Sequence, residues 1–179
     1  DGSQASLVHP SWGPDGSLHV LTDASGWWNL ARIDSSGSVV PLISVEADLC
    51  GPFWGFTPAP YAFLPDGSVL IAPRHGGNAR LATFKLHAGG TLDYLGDGWV
   101  GGSPCLSGTR VLALMGRTTH APRVVTIELQ EEEPKFEVLR EADASIPDED
   151  ISIGEAVTFS TASGALAHAT YYAPRNASY

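Results

Sequence analysis

The chain has 179 residues, 43% of them hydrophobic, which is enough to bury a core, and 20 acidic against 10 basic residues give a formal charge of −10. That balance disfavours nucleic acid, whose phosphates call for clustered Lys and Arg, and no run of about 18 apolar residues is present to cross a membrane as a helix. With 20 Gly and 13 Pro set among short runs of Val, Ile, Leu and aromatics, the composition predicts an all-β chain of brief strands joined by turns.

Three turn signals set a repeating frame: Pro14-Asp15-Gly16, Pro65-Asp66-Gly67 and Leu106-Ser107-Gly108. Pro fixes φ early in a tight turn, Asp bonds the backbone ahead of it, and Gly accepts positive φ. Each is followed by a strand, at Leu18–Leu21, Val69–Ile71 and Val111–Leu114. A second turn comes next, carrying Ser25-Gly26, Gly76-Gly77 or Thr118-Thr119-His120. A third strand ends in Ile33-Asp34, Phe84-Lys85-Leu86 or Ile127-Glu128-Leu129. A fourth closes each unit at Val39–Leu42, Leu92–Leu95 or Phe136–Leu139. From Gly16 to Ile33 is 17 residues, from Gly67 to Phe84 is 17 and from Gly108 to Ile127 is 19, and the anchors lie 51 and then 41 residues apart. Four short strands recurring at that period predict propeller blades rather than a β-sandwich, whose strands need not repeat in fours. Innermost strands are expected at Leu7–Trp12, at Pro52–Trp54 with Tyr61–Phe63, and from Trp99 to Pro104.

The expected organisation is a partial β-propeller over 1–154, with blades near 5–45, 50–98 and 99–142. An exit hairpin over 155–179 follows, from Glu155–Phe159 and Ala167–Tyr172 turning at Ser163-Gly164. One short helical turn is expected near Asp148-Glu149-Asp150. Eleven acidic residues lie between Glu128 and Glu155, Glu131-Glu132-Glu133 among them, and read as a solvated rim. The opening residues Asp1-Gly2-Ser3-Gln4-Ala5 read as a cut through something larger, with no secretory leader.

Several residues resemble functional motifs and read better as structure. Gly101-Gly102-Ser103-Pro104-Cys105 is one residue short of Gly-x-Ser-x-Gly. The residue after a nucleophilic Ser must donate an oxyanion-hole N–H, and Pro104 has none, so Ser103 is not assigned as catalytic. Arg74-His75-Gly76-Gly77 is similar to the His-Gly-Gly stretch of hydrolase oxyanion holes, yet its place in the repeat is a hairpin turn. His9, His19, His75, His87, His120 and His168 lack ligand spacing, and Cys50 and Cys105 form no Cys-x-x-Cys, so no metal or cofactor is expected. Two isolated thiols suit a reducing cytoplasm, where both should stay unbridged. Trp12, Trp27, Trp28, Trp54 and Trp99 read as packing between blades. Trp27-Trp28 is the pair to watch, because adjacent strand residues face opposite ways. Asn176-Ala177-Ser178 matches a glycosylation sequon by coincidence.

Ser11-Trp12-Gly13-Pro14-Asp15-Gly16-Ser17, with Thr22–Leu30 carrying Gly26-Trp27-Trp28-Asn29-Leu30, resembles the blade motif of the acylaminoacyl-peptidase and dipeptidyl-peptidase branch of the prolyl oligopeptidase family. Glu46–Trp54 and Tyr61–Gly67 continue the resemblance, and Glu155–Phe159 through Tyr171-Tyr172-Ala173-Pro174 is similar to that family's crossing from propeller to hydrolase domain. The resemblance implies a non-catalytic propeller segment that gates peptide access to an α/β-hydrolase domain, with no catalytic residue carried here. The implied partners are that hydrolase domain and its peptide substrates. A scaffold propeller of the periplasmic translocation type is the alternative. A lactonase-like propeller enzyme is disfavoured for want of a complete ring. Open blade faces at either end are expected to favour self-association.

Overall fold

A computed structural model describes residues 5–51, 60–76, 78–86, 90–100, 104–117, 120–129, 134–143 and 146–175. The first unit comprises β1 (Leu7–Trp12), β2 (Leu18–Thr22), β3 (Asn29–Ile33) and β4 (Val39–Pro41). The second comprises β5 (Tyr61–Phe63), β6 (Ser68–Ile71), the short β7 (Arg74–His75), β8 (Asn78–Lys85) and β9 (Asp93–Val100). In the third are β10 (Cys105–Ser107), β11 (Arg110–Arg117), β12 (His120–Glu128) and β13 (Lys135–Glu141). A single 3-10 turn at Asp148–Asp150 precedes the exit hairpin, β14 (Gly154–Ser160) and β15 (Leu166–Tyr172). Among the described residues all strand pairing is antiparallel and follows chain order, with the short β7 and β10 set aside as β6 pairs with β8 and β9 with β11.

The repeated turns work as their residues dictate. The Asp15 carboxylate accepts from the Ser17 amide at 3.0 Å and the Ser17 hydroxyl at 2.6 Å. Asp66 does the same with Ser68, at 3.0 and 2.6 Å. A further copy closes the third-to-fourth strand turn of the first unit, where Asp34 accepts from the Ser36 and Ser38 amides, both at 2.9 Å. The glycines after the first two aspartates have φ of +77° (Gly16) and +81° (Gly67), the left-handed region that a side chain penalises.

The second sheet is buried on both faces, which makes its central strand a continuous apolar run. Val69 and Ile71 of β6, with Phe84 of β8, pack on Leu21, Leu30 and Leu49 of the first unit and its connection. Leu70 and Leu81 turn the other way, onto Val111, Ala113, Met115, Val125 and Ile127 of the third. Leu112 and Leu114 alternate with those β11 core residues and are 39% and 40% exposed, so the far side of the third unit is open.

Between the first two units His19 is buried. Its ring meets Phe63 edge-on at 4.8 Å, Nδ1 lies 3.1 Å from the Ser17 carbonyl, and a Cβ on Gly13 would fall 2.6 Å from the imidazole. Beside it the Tyr61 hydroxyl donates to the His9 carbonyl at 2.9 Å. His9 itself has φ of +51° where the β1–β2 register slips between Val8 and Ser11, marking a bulge in the innermost strand.

The units are not three separate sheets. β9 begins as the fourth strand of the second unit, with Tyr94 beside Ala82 and Asp93 beside Thr83. It ends as the first strand of the third, with Trp99 beside Gly116 and Val100 beside Met115. The sequence boundary at 98/99 therefore falls inside one strand, and the two units form one sheet of nine strands in which repeats follow in order. Glycine makes this possible. Between Arg80 and Ala82 the pairing register jumps along β9 from Trp99 to Tyr94, across Gly96 and Gly98. Gly96 has φ of +59°, and a Cβ there would lie 2.8 Å from the Phe136 ring.

The exit hairpin lies apart. Its strands pair from Gly154↔Tyr172 to Ser160↔Leu166 around Gly164, and among the described residues they pair with neither sheet of the blades. Val157 and Phe159 on one face are 36% and 53% exposed, and Leu166 and Tyr172 on the other 66% and 57%.

Candidate functional site

One end of the structure gathers the second-to-third strand hairpins of the first two units, the connection between those units, and the exit hairpin. The connection is fixed by polar side chains from an otherwise apolar strand and loop. Asn29, buried at the head of β3, accepts from the Val45 amide at 2.7 Å and donates to the carbonyls of Val45 at 3.1 Å and Ala47 at 3.4 Å. Asp48 then joins both hairpins. Its carboxylate accepts from the Trp28 amide at 3.1 Å, and its backbone exchanges two bonds with Arg74, at 3.0 and 2.8 Å. Leu49 N donates to the Trp28 carbonyl at 2.8 Å and delivers the chain into the core, where Cys50 is buried. Burial raises the Cys50 thiol to about 12, and the Asp48 charge pushes the same way.

Above this clamp stand Trp27 and His75. Trp28 packs on the core between the first two units while Trp27 lines the cleft; both precede β3, in the turn, so the expected strand alternation does not apply to the pair. His75 lies on the turn that the sequence frame placed there: Arg74 pairs with Ala79, His75 with Asn78, and Gly76 has φ of +57°. The His75 ring is oriented by Nδ1, 2.7 Å from the Glu46 carbonyl, and stands 6.0 Å from the Trp27 ring at 33°. Facing these two rings is the exit hairpin, with Ala156, Thr170 and the Thr158–His168 pair on one of its faces, the pair's Oγ1 and Nδ1 lying 3.0 Å apart. An open cleft of about 760 Å³ separates the two walls.

Other residues marked in the sequence are dispersed. Burial lowers the pKa of His9 and His19, and His120 is exposed at the start of β12. Trp12 is 70% exposed rather than packed between blades. Among the described residues no group of three or more His, Cys, Asp or Glu could hold a metal ion. Cys50 and Cys105 are both free, one buried and one exposed. Gly101-Gly102-Ser103, His87, Trp54 and Asn176-Ala177-Ser178 lie outside the described residues, and Pro104 beside the first is buried. Asn29 and Asp48, which fix the site's floor, carried one sequence signal: each is polar among apolar neighbours, in Asn-Leu-Ala-Arg-Ile and Ala-Asp-Leu-Cys.

No family model and no curated protein matches the chain. Among solved structures, a puromycin hydrolase is 27% identical, with a TM-score of 0.84, over 98% of this chain and 27% of its own. A puromycin-hydrolysing peptidase of Mycobacterium tuberculosis is 26% identical, with a TM-score of 0.82, over 98% and 27%. Prolyl oligopeptidase B from Galerina marginata shares the fold at 12% identity and a TM-score of 0.68, over 94% and 24%. The chain thus spans about a quarter of the length of these proteins, matching their propeller part. Repeated blades, turn chemistry and near-complete structural coverage agree: this chain is a β-propeller segment of the type carried by prolyl oligopeptidase family peptidases.

Proposed function

We propose that the chain is the non-catalytic propeller segment of a serine peptidase and that it gates peptide access to an α/β-hydrolase domain. The observation that carries this reading is the match over 98% of the chain to 27% of a puromycin hydrolase. Supporting it is the exit hairpin, whose two faces carry apolar side chains too exposed for a ribbon that stands alone. In this reading the Val157 and Phe159 face meets the hydrolase domain, and catalysis is carried there. Identities of 26–28% to puromycin hydrolases, against 11–12% to prolyl oligopeptidases, favour a parent acting on aminoacyl compounds and short peptides, of the acylaminoacyl or dipeptidyl type. Two free thiols favour a cytoplasmic setting.

The test uses the 179-residue chain alone and joined to the hydrolase domain of its parent. The chain alone neither hydrolyses aminoacyl and acylaminoacyl reporters nor labels with a fluorophosphonate. The joined protein does both, and cleaves short peptides in preference to long folded substrates. Stoichiometric labelling of the isolated chain, abolished by Ser103→Ala, would overturn the reading.

A further inference from the structure

Two sequence features that resemble functional motifs, Trp27-Trp28 and His75-Gly76, come from different units yet meet at one cleft. We propose that this cleft is a docking subsite for an aromatic side chain of a bound peptide, with Trp27 as its stacking wall and His75 as a hydrogen-bond acceptor at its rim. The inference rests on the peptide-handling reading above and gives it a location and a side-chain class.

The chemistry of the lining selects the ligand. A carbonyl can only accept, so the His75 Nδ1 contact with Glu46 O places the proton on Nδ1 and leaves Nε2 of the neutral ring as an acceptor. That suits a peptide N–H. The neighbouring indole offers a face to a ring in offset or tilted contact. Across the cleft, Ala156, Thr158, His168 and Thr170 share one face of the exit hairpin; Ala156 and Thr170 are small and leave width for a planar group, and the Thr158–His168 pair supplies polar atoms. Among the described residues neither Lys nor Arg lines the cleft, which argues against an anion, and two imidazoles without a third ligand do not make a metal site. A volume of about 760 Å³ is in the range that small organic ligands fill. Support on both sides is built in. The Asp48–Arg74 bonds fix the spacing of the two hairpins, and β14–β15 pairing holds the other wall as a regular ribbon.

The test is titration of the isotope-labelled 179-residue chain with blocked tripeptides Ala-Phe-Ala and Ala-Ala-Ala, following backbone amides of residues 74–76 and 167–170 and the Trp27 indole N–H. The Phe peptide should give saturable shifts confined to these groups, with affinity about tenfold above that of the Ala peptide. Trp27→Ala, and separately Thr170→Trp, which fills the cleft from its exposed wall, should each abolish that difference with an unchanged circular dichroism spectrum. His75→Ala should weaken both peptides alike by severalfold, since it removes the contact to the backbone. Equal shifts from the two peptides, or a Phe preference that survives both Trp27→Ala and Thr170→Trp, would overturn the proposal. So would shifts that arise from raising the protein concentration alone, which would assign the cleft to a second copy. No hydrolysis enters this measurement. A failed titration with normal reporter cleavage by the joined protein removes the subsite and leaves the propeller reading standing.

Discussion

Replacing Asn29 by Ala should cost about as much stability as an ordinary core truncation, although it removes no large apolar group. The carboxamide is 4% exposed and makes contacts at 2.7, 3.1 and 3.4 Å. The first two lie in the favourable range and the third at its edge, so two full bonds and one weak one are lost. At roughly 1 kcal/mol net per bond, plus about 1 kcal/mol for the Val45 groups left short of a partner, the loss is about 3 kcal/mol. For a chain of this length that lowers Tm by about 6–12 °C. Urea melts followed by Trp fluorescence read the change directly, with Leu30→Ala next to it in β3 as the yardstick at about 2–5 kcal/mol. Asn29→Asp separates hydrogen bonding from packing. It keeps the acceptor for Val45 N but sets a carboxylate against the Val45 and Ala47 carbonyls, so it should be no more stable than Asn29→Ala. Releasing the 42–51 connection should also speed modification of the buried Cys50. A loss below about 0.5 kcal/mol, the size of an ordinary surface change, would refute the account of this clamp.

Acid should destabilise the protein in two stages. Burial holds the His19 pKa below its ordinary 6.5, so the unfolded chain takes the proton first, and stability that is full above that value declines as pH falls through the folded pKa. The Ser hydroxyl bonds lower Asp15, Asp34 and Asp66 from 3.8, giving a second loss on descending below that value. His19→Gln should flatten the first stage only, in melts taken from pH 8 to 3. One thiol, Cys105, should react with Ellman's reagent rapidly in the native protein, and Cys50 only after denaturation. Two fast thiols would contradict its burial and its raised pKa. Gly16→Ala meets no neighbouring atom and should cost about 1 kcal/mol through φ alone. Gly96→Ala adds the Phe136 clash and should cost clearly more in the same urea melts.

Much of the fold was legible because its turns are chemically explicit. Pro14-Asp15-Gly16 and Pro65-Asp66-Gly67 fix both where strands end and how the chain reverses, and the run Ser68–Ile71 declares a strand covered on both faces. The dual service of β9 was not legible. Leu92–Leu95 and Trp99–Val100 read as two strands because the Gly96-Asp97-Gly98 segment between them looks like a break, and only the partner strands show that backbone pairing resumes beyond it. The candidate site was half legible. His75-Gly76 was placed correctly as a hairpin, whereas alternation did not separate Trp27 from Trp28, since both lie in the turn before β3 and are equally half-buried. Their meeting at one cleft depends on the clamp made by Asn29 and Asp48, which acts over 16 to 26 residues of sequence. No local pattern encodes a contact of that span.

The shared strand gives the arc an unequal stiffness. Opening the second unit from the third means breaking main-chain hydrogen bonds along β9, whereas the first unit meets the second through side chains, the Asp48 bridge and the His19–Phe63 contact. Amide exchange should therefore treat residues 61–141 as one foldon and 7–41 as another. The natural hinge line of this propeller runs between the first two units, one of which carries Trp27 and the other His75, so any breathing between them would change the spacing of the two rings first.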